Sequence, residues 1–297
     1  MSSKTLGIIL AGGRSSRLFP ATLVTTKQVL PIYDKPLIYY PLSTLMLAGI
    51  KEFVIISTPD ESQVFKNLFK DSEETMGIKV YHGVQNSPRG IADAFNVAHA
   101  TLFGKIHNYD RFALILGDNI FYGASMSGLL KSANSEKTAS IFATQVKDPE
   151  RFGVIELDDA LPVSLEEKPT NPKSDLAVTG LYFYPDDVFD RVYNQRASAR
   201  GELEITDLNN SYLNSERLSV HKLARGMIWF DTGTPDSMME AASLVQTLQN
   251  HQKILIGSPH EVAFNNGWIT PSQLGITADL CNKTTYGSYL RILSEGL

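Results

Sequence analysis

A glycine-containing turn near the N-terminus carries residues whose types suit phosphate binding. The apolar run Leu6–Leu10 is typical of a buried strand, and it ends at Ala11-Gly12-Gly13, where side-chain bulk disappears. The basic residues that follow are Arg14, Arg17 and Lys27. Glycines let backbone N–H groups approach an anion and the cations neutralise it, so the stretch predicts a polyphosphate site. An ordinary turn with solvated basic residues is the alternative, and the spacing matches neither a P-loop nor a dinucleotide-binding fingerprint.

Two aspartates follow apolar strand-like segments and suit a divalent cation. Asp118 comes after Phe112–Leu116, and Asp231 comes after Met227–Phe230. If both segments end at the same edge of a sheet, the two carboxylates can share one Mg²⁺, which takes few protein carboxylates and keeps positions for phosphate oxygens and water. Each aspartate alone is equally suited to capping a turn. The pair, together with the basic turn, favours the metal.

Two further turns carry weaker signals. In Glu166-Glu167-Lys168-Pro169, the lysine could hold a phosphate and the glutamates could bind sugar hydroxyls or pair with Lys168, although a charged surface turn is the simpler interpretation. In the segment Gln85–Gly90, the glutamine can read the edge of a base and the glycine allows close backbone approach. The histidine spacing predicts no zinc site, and no G-x-S-x-G nucleophile elbow is present.

Composition restricts the class of protein. The chain has 297 residues, 43% of them hydrophobic, and a formal net charge of −5, which argues against a nucleic acid partner. A single cysteine, Cys281, excludes an intrachain disulfide and a cysteine metal cluster. No apolar run approaches the ~20 residues that span a bilayer, and the N-terminal run is too short for a signal peptide. We therefore expect a soluble, cytoplasmic protein with no membrane partner.

The order of the predicted elements indicates an α/β fold. Strand and helix patterns alternate over the first ~120 residues, which is typical of a parallel sheet covered by helices. The middle of the chain is richer in strands, and the residues from Pro259 onward are mostly helical in pattern. Ligands in such sheets bind beyond the carboxyl ends of the strands. The segments Gly12–Arg17 and Gly117–Asn119 should therefore lie at one edge.

The combined motifs resemble the glucose-1-phosphate thymidylyltransferases, also called dTDP-glucose pyrophosphorylases, of the sugar nucleotidyltransferase family. The resemblance covers nearly the whole chain and is weakest after about residue 250. The segments that carry it are LAGGRSSRLFP, TKQVLPIYDKPLIYYPLSTLMLAGI, QNSPRGIADAF, LGDNIFYG, DPERFGV, SLEEKP, AVTGLYFY, RGELEITDLN and WFDTGT. It implies a Rossmann-like, mainly parallel mixed sheet flanked by helices, with a C-terminal helical extension. We expect one domain over residues 1–297, with a nucleotide-binding half (about 1–120), a sugar-binding half (about 121–235) and the extension (about 236–297).

The resemblance also implies roles for individual residues. Arg17 matches the arginine that stabilises the leaving pyrophosphate, Lys27 belongs to the same cluster, and Lys168 matches the lysine that holds the sugar phosphate. Asp118 and Asp231 match the two Mg²⁺ ligands. The implied nucleotide-binding residues are Leu10, Ala11, Gly12, Gly13, Ser15, Ser16, Arg17, Gln28, Gln85, Pro88 and Gly90. The implied residues around the sugar phosphate are Phe152, Gly153, Glu167, Lys168 and Val178.

The implied reaction joins dTTP and α-D-glucose 1-phosphate to give dTDP-glucose and pyrophosphate, the first step towards dTDP-deoxysugars such as dTDP-rhamnose. The family implies a homotetramer built as a dimer of dimers, with feedback by dTDP-rhamnose at a second nucleotide site. The same chemistry with UTP or another sugar phosphate is the nearest alternative. A non-catalytic nucleotide-sugar sensor is another, although such a protein would usually have lost a metal ligand or Lys168.

Three positions depart from the family pattern. Ser15 replaces a glycine, so a left-handed backbone there carries a cost that glycine would avoid. Arg89 stands beside the base site, where an acidic residue is common. Phe152 stands where tyrosine is frequent and therefore lacks its hydroxyl.

Overall fold

The structure is a computed structural model that describes residues 4–13 and 15–296. Its strands over these residues are β1 (Thr5–Leu10), β2 (Pro31–Ile32), β3 (Lys35–Pro36), β4 (Glu52–Ser57), β5 (Lys79–Val84), β6 (Arg111–Leu116), β7 (Asn119–Tyr122), β8 (Ala139–Gln145), β9 (Gly153–Asp158), β10 (Leu161–Glu167), β11 (Leu176–Pro185), β12 (Leu218–Lys222) and β13 (Ile228–Asp231). Its α-helices are α1 (Tyr39–Leu47), α2 (Ser62–Leu68), α3 (Ser72–Met76), α4 (Asp93–Thr101), α5 (Met126–Ser135), α6 (Val188–Asn194), α7 (Ile205–Leu213), α8 (Pro235–Gln252), α9 (Pro259–Asn265), α10 (Pro271–Leu280) and α11 (Thr285–Glu295).

A nine-stranded mixed sheet forms the centre of the protein. Its main order is β10-β9-β11-β6-β1-β4-β5, and β8 pairs with both β11 and β12. The strands β6, β1, β4 and β5 run parallel, whereas β11 runs antiparallel to β6. Leu10 pairs in register with Leu116, so the turns that follow β1 and β6 leave the sheet at the same edge. The predicted α/β fold and the predicted common edge are confirmed.

Alternate residues of the central strands enter two hydrophobic cores, one on each face of the sheet. In β1, Leu6 and Ile8 pack into the core beneath helices α4, α6 and α7, whereas Ile9 packs into the core beneath α1 and the C-terminal helices. This two-residue alternation is what a strand buried on both faces requires. At Gly7 a Cβ would lie 2.5 Å from the Phe53 ring, so the glycine makes room for that ring.

A short antiparallel ribbon, β7 with β13, lies next to the main sheet. Helix α8 packs against β2 and this ribbon through a third apolar cluster that includes Ala241 and Val245. The helix begins with Pro235 after Thr234, whose side chain forms a capping box with Ser237. The ribbon brings together Asn119 and Asp231, which are more than a hundred residues apart in sequence.

The C-terminal region is helical, as expected, and joins the main core. Helices α9, α10 and α11 begin after Ser258, Thr270 and Thr284, and each of these side chains accepts a hydrogen bond from a backbone N–H of the first turn. Leu274 and Leu290 belong to the same apolar cluster as the helix α1 side chains. None of the described helices combines the length and apolarity needed to cross a bilayer.

Buried His260 in α9 should make the stability of the fold dependent on pH. Its Nδ1 lies 2.8 Å from the Tyr286 hydroxyl, and burial lowers its pKa from 6.5 to about 4. Between those pH values the unfolded chain binds a proton that the folded chain does not, so stability falls as the pH drops through this window. Since one pKa unit corresponds to ~1.4 kcal/mol, we expect a loss of about 3 kcal/mol from this group.

Urea unfolding of the wild type and of His260→Asn at pH 7.5 and pH 4.5 tests this expectation. Asparagine keeps a polar atom near the Nδ1 position but has no proton to gain, so the variant should lose about 3 kcal/mol less than the wild type on acidification. Other titrating groups contribute equally to both proteins. Equal losses in the two proteins would show that His260 does not set this dependence.

Candidate active site

The conformation of the glycine turn after β1 is set by a main-chain hydrogen bond and by two residues with positive φ. The Ala11 N–H donates to the Ile56 carbonyl at 2.7 Å, so the contact between β1 and β4 continues to this residue, which is buried. Gly13 has a φ of +125°, and Ser15 lies in the left-handed region with a φ of +44°. A 3₁₀ turn over Ser16–Leu18 follows and presents Arg17. Arg14, a predicted basic residue of this turn, lies outside the described residues.

Ser15 should carry the backbone cost that its departure from the family pattern predicts. A non-glycine residue in this conformation costs ~1–2 kcal/mol, and the Ser15 hydroxyl gains only a long 3.4 Å contact with the Gly13 carbonyl. We expect Ser15→Gly to raise the melting temperature by about 1–3 °C and Ser15→Val to lower it. Differential scanning calorimetry of both variants measures this. A lower melting temperature for Ser15→Gly would contradict the strain argument.

The two predicted metal ligands come together at the edge of the sheet. Asp118 lies between β6 and β7, and Asp231 is the last residue of β13, in register with Asn119. Thr232 fixes this junction, because its N–H and its hydroxyl both donate to the Asp118 carbonyl, at 3.1 and 2.7 Å. Asn119 donates to the Asp118 carboxylate at 3.0 Å. The geometry therefore places two carboxylates at one point of the rim.

Two carboxylates and two cationic side chains lie close together at this rim, and the other three affect the protonation of Asp231. Burial, and then repulsion by the Asp118 carboxylate, raise the pKa of Asp231, whereas Lys27 and Arg17 oppose that rise. The buried Lys27 ammonium forms an ion pair with Asp118. Arg17 lies close by, because a Cβ on Gly233 would be 2.8 Å from an Arg17 guanidinium nitrogen and 3.3 Å from a carboxylate oxygen of Asp231. Four predicted catalytic residues are thus neighbours.

The carboxylate pair is suited to a hard divalent cation. Burial first, and then repulsion by the Asp118 carboxylate, disfavour a charged Asp231, and a cation between the two carboxylates relieves that repulsion. Across residues 4–13 and 15–296 no group of three or more His, Cys, Asp or Glu side chains is arranged to hold a metal ion. The protein therefore offers two ligands and leaves the remaining positions to phosphate oxygens and water, which is the coordination typical of Mg²⁺ in proteins that bind nucleotides.

A cleft of about 760 Å³ extends from the glycine turn to the opposite wall. Predicted nucleotide and sugar-phosphate residues line it together, namely Leu10, Gly12, Gly13, Gln85, Pro88, Gly90, Glu167 and Lys168. The Gly117 N–H donates to the Leu10 carbonyl at 2.9 Å, so the cleft borders the rim that carries Asp118. Buried Gln28 lies at the same junction, since a Cβ on Gly117 would be 3.1 Å from its Cγ.

The turn Gln85–Gly90 contributes one wall of the cleft. Gly90 has a φ of +95°, and a Cβ there would lie 2.3 Å from the Leu203 carbonyl oxygen, so only glycine fits. The Leu203 N–H donates to the Arg89 carbonyl at 2.7 Å, which ties this turn to the segment before α7. Arg89 itself does not line the cleft and instead forms an ion pair with Asp93.

The predicted sugar-phosphate residues form a group on the other wall. A Cβ on Gly153 would lie 3.6 Å from a Glu167 carboxylate oxygen and 3.9 Å from the Val178 Cβ. Lys168 has a φ of +45°, and its N–H donates to the Phe152 carbonyl at 2.9 Å. The Lys168 ammonium lies 3.5 Å from Glu167 and remains half exposed.

The two glutamates predicted at this wall have different partners. Glu166 points outward and pairs with Lys173 at 2.8 Å. Glu167 accepts a hydrogen bond of 2.5 Å from the Thr206 hydroxyl and lies 3.8 Å from the Arg200 guanidinium. Only Glu167 of the pair therefore lines the cleft.

Sequence reasoning missed several residues that support the site. The side-chain amide oxygen of Asn119, Oδ1, accepts from the Gly180 N–H at 3.0 Å and from the Trp229 indole N–H at 2.6 Å, and the Trp229 ring lies edge-on to Phe152. Thr206 and Asp93 orient Glu167 and Gln85. Asn119 directly follows Asp118 and could have been found from that position. The others are set by contacts between distant segments, which no local pattern records.

This fold and this rim of glycines, cations and paired carboxylates define a class. The chain belongs to the nucleotidyl transferase family, whose sequence model matches residues 6–247, and it is an enzyme of that kind. The resemblance drawn from the motifs is confirmed. A glucose-1-phosphate thymidylyltransferase from Neisseria meningitidis serogroup A / serotype 4A is 49% identical over 292 residues, covering 97% of this chain and 99% of that protein. A Mycobacterium tuberculosis (strain ATCC 25618 / H37Rv) protein of the same name is 47% identical over 290 residues, covering 97% of this chain and 99% of that protein.

Solved structures agree with this assignment. A Bacillus anthracis protein assigned as a glucose-1-phosphate thymidylyltransferase, crystallised with sucrose, has a TM-score of 0.74 at 35% identity and covers 86% of this chain and 99% of that chain. A UDP-glucose pyrophosphorylase complexed with UDP-glucose has a TM-score of 0.71 at 22% identity and covers 82% of this chain and 99% of that chain. The second likeness shows the fold alone.

Proposed function

We propose that this nucleotidyltransferase moves a thymidylyl group from dTTP to α-D-glucose 1-phosphate, releasing pyrophosphate and forming dTDP-glucose. One observation carries the proposal: the Asp118–Asp231 pair lies at the sheet edge beside Gly117, which bonds to Leu10 in the lining of a cleft that runs from the glycine turn to Lys168. The names of the relatives that match nearly the whole chain support the thymidylyl donor and the glucose acceptor. The product would enter the synthesis of dTDP-deoxysugars.

The nucleotide would occupy the half of the cleft next to β1. Leu10, Gly12 and Gly13 line this half, and backbone N–H groups freed of side-chain bulk suit the triphosphate. Ala11, Ser15 and Ser16 shape the same turn, and Arg17 would face the departing pyrophosphate. Gln28 would contact the nucleoside, and Gln85, Pro88 and Gly90 the base.

The sugar phosphate would occupy the opposite half. The Lys168 ammonium would hold its phosphate, and Glu167 would accept hydrogen bonds from hexose hydroxyls, since its carboxylate faces the cleft beside Gly153. Val178 and Phe152 would pack against the sugar ring. Phe152 offers no hydroxyl, so the hexose there gains an apolar contact only.

Asp118 and Asp231 would hold Mg²⁺. When bound, the cation neutralises charge on the α-phosphate and on the oxygens around it. Lys27, paired with Asp118, keeps the local charge balanced and fixes the direction of that carboxylate.

Catalysis by this chain would consist of positioning and charge neutralisation. The nucleophile is a phosphate oxygen that is already anionic, so no general base is needed for its in-line attack on the α-phosphorus. Lys168 would orient the attacking phosphate. Arg17 would stabilise the charge that develops on pyrophosphate, and the cleft would exclude water that could compete for the nucleotide.

Pyrophosphate release from a panel of substrates tests the proposed function. The purified protein is assayed with Mg²⁺, each of dTTP, UTP, dCTP and dATP, and each of several sugar 1-phosphates. We expect the highest kcat/KM for dTTP with glucose 1-phosphate, and dTDP-glucose as the product. A clear preference for UTP would refute the choice of donor, and no release with any pair would indicate a sensor.

We further propose a homotetramer, a dimer of dimers, with one working domain per chain in the cytoplasm. The exposed side chains Met239, Ile276 and Leu280 support this assembly, because α8 and α10 leave apolar surface uncovered after filling the core. Light scattering in solution tests it: a mass near four times the 32.8 kDa chain is expected. A monomer would contradict it.

Feedback by dTDP-rhamnose would use a second cavity. A cavity of about 360 Å³ between α1 and residues 255–266 supports this, because it is separate from the substrate cleft and mixes apolar surface with the polar groups of Tyr40 and Thr44. A further cavity is less suitable, because Asp187, Asp190 and Asp207 line it with one cation, Arg191, whereas one carboxylate, Glu261, lines the first. The larger number of acidic side chains would repel a diphosphate more strongly. Inhibition by dTDP-rhamnose that is non-competitive with dTTP is the expected kinetic result.

A further inference from the structure

A buried carboxylate lies behind the glutamine of the base-side wall. Asp93, the first residue of α4, has no exposed surface. Its carboxylate accepts from the Gln85 side-chain amide at 2.9 Å, from the Arg89 guanidinium at 2.8 and 3.3 Å, and from the Asn96 amide at 3.2 Å. Every one of these contacts is a donor facing an acceptor, so the carboxylate is fully used.

The contact with Asp93 decides which way the Gln85 amide points. A carboxylate only accepts hydrogen bonds, so the atom of Gln85 that faces it must be the Nε2 donor. The Oε1 acceptor then faces the other way. It lies 3.9 Å from the position that a Cβ on Gly12 would occupy, on the side of the glycine turn, and Gln85 lines the cleft.

The other donors keep the carboxylate in this orientation. The Oδ1 oxygen of Asp93 receives one guanidinium nitrogen of Arg89 and the Asn96 amide, and Oδ2 receives Gln85 and the second Arg89 nitrogen. The Arg89 side chain is 60% exposed and reaches Asp93 from outside the cleft. The cation at position 89, a departure from the family pattern, therefore pairs with Asp93 and does not line the cleft.

We propose that Asp93 is a positioning residue that sets the choice of nucleobase by holding Gln85 with its carbonyl oxygen towards the base. An oxygen fixed in this way accepts from a base that carries an N–H at that edge, as N3 of thymine and uracil does. It faces a lone pair at N3 of cytosine, and that mismatch rejects cytosine. This inference rests on the proposed function, because it takes the cleft next to Gln85 as the base site.

The isosteric change Asp93→Asn should reverse this orientation. Oδ1 receives the shorter Arg89 contact, at 2.8 Å, together with the Asn96 amide, whereas the Arg89 contact with Oδ2 is 3.3 Å long. We therefore expect the asparagine oxygen to keep the Oδ1 position and its amide nitrogen to face Gln85. Two N–H groups cannot face each other at 2.9 Å, and Gln85 must rotate its amide by half a turn. Its nitrogen then points into the cleft, where it repels thymine N3–H and donates to cytosine N3.

Three pyrimidine nucleotides provide the test. We measure kcat/KM for dTTP, dUTP and dCTP with glucose 1-phosphate and Mg²⁺, using the wild type, Asp93→Asn and the control Arg89→Gln. The dTTP/dCTP ratio should fall by about 10- to 100-fold in Asp93→Asn, since an unmatched buried polar group is costly. The dTTP/dUTP ratio should not change, because these bases share the same N–H edge. Arg89→Gln should keep both wild-type ratios, since Asp93 still accepts from Gln85.

A merely structural role for Asp93 predicts a different result. Lost packing or a displaced helix would lower kcat/KM for all three nucleotides by the same factor, and that outcome overturns the proposal, as does an unchanged dTTP/dCTP ratio. A second readout is the rise in melting temperature that each nucleotide causes, which measures the relative affinities of the three nucleotides. This binding readout tests the inference even if the wild type releases no pyrophosphate, which would count against the proposed function instead.

If Asp93→Asn does not fold, a crystal structure of the wild-type protein with thymidine diphosphate decides. The Gln85 amide atom within hydrogen-bond distance of thymine N3 should be the one that is not bonded to Asp93. A structure in which Gln85 has left Asp93, or does not reach the base, overturns the proposal.

Discussion

Asp118→Asn should lower the turnover of the enzyme by about 10²–10³, the usual effect of removing one electrostatic group from a transfer site. Asparagine keeps the size of the side chain and an acceptor for Asn119, but it removes one of the two carboxylates that suit Mg²⁺. The junction itself should stay intact, because Thr232 bonds to the main-chain carbonyl of residue 118. Initial rates of pyrophosphate release at several Mg²⁺ concentrations measure the effect, and the metal requirement should rise.

The control for this change is Asp158→Asn, which removes the same charge from an exposed position at the β9–β10 turn. Its turnover should stay within about twofold of the wild type, since surface charges are largely screened. If Asp118→Asn at saturating Mg²⁺ kept more than a tenth of wild-type turnover while Asp158→Asn behaved as expected, the metal role of Asp118 would be wrong.

Arg17→Ala should lower kcat by a similar factor of about 10²–10³. The guanidinium next to Gly233 is placed to stabilise the leaving pyrophosphate, an interaction that strengthens only as the bond breaks. The change should also have an electrostatic consequence. Arg17 opposes the rise in the pKa of Asp231, so its removal should raise that pKa further in the protein without bound metal.

Two comparisons make the Arg17 prediction specific. Arg225→Ala removes an exposed arginine and should leave kcat unchanged. Guanidinium ion added to the assay should partly restore the activity of Arg17→Ala, as expected when a missing charge rather than a damaged fold limits the rate. Near-normal turnover of Arg17→Ala would remove Arg17 from the proposed mechanism.

The central strands and the common edge could be predicted because their signals are local. Strands β1, β4 and β6 are continuous apolar runs bounded by polar or glycine residues, and parallel packing follows from their alternation with helices. The positions of the glycine turn and of Asp118 follow directly from the points where the apolar runs of β1 and β6 end.

The elements that the sequence pattern missed are short or depend on distant partners. Strand β7 has four residues, and its pairing with β13 joins residues 119 and 231. Helix α5 contains glycine and several serines, which weaken its helical signal. The ribbon decides whether Asp118 and Asp231 meet, so their sharing of one cation could be proposed from the sequence but only the three-dimensional pairing places them side by side.

The orienting residues of the site were invisible for a related reason. Asp93 lies in a helix whose sequence marks it as an ordinary first-turn acid, and only its complete burial and its four donors reveal another task. Thr206 reaches Glu167 across 39 positions of sequence. Polar side chains that orient another residue belong to no characteristic sequence motif, so their identification requires the folded structure.

The stereochemistry of transfer tests the central claim most directly, that one rim of the sheet lets the sugar phosphate displace pyrophosphate in a single step. The wild-type enzyme is supplied with dTTP carrying one sulfur at the α-phosphorus, as a single diastereomer, together with glucose 1-phosphate, and the configuration of the dTDP-glucose product is determined by ³¹P NMR. Direct in-line attack predicts inversion at the α-phosphorus. Retention would mean that a group of the protein first accepts the nucleotide, and it would contradict the account of a site without a nucleophile of its own.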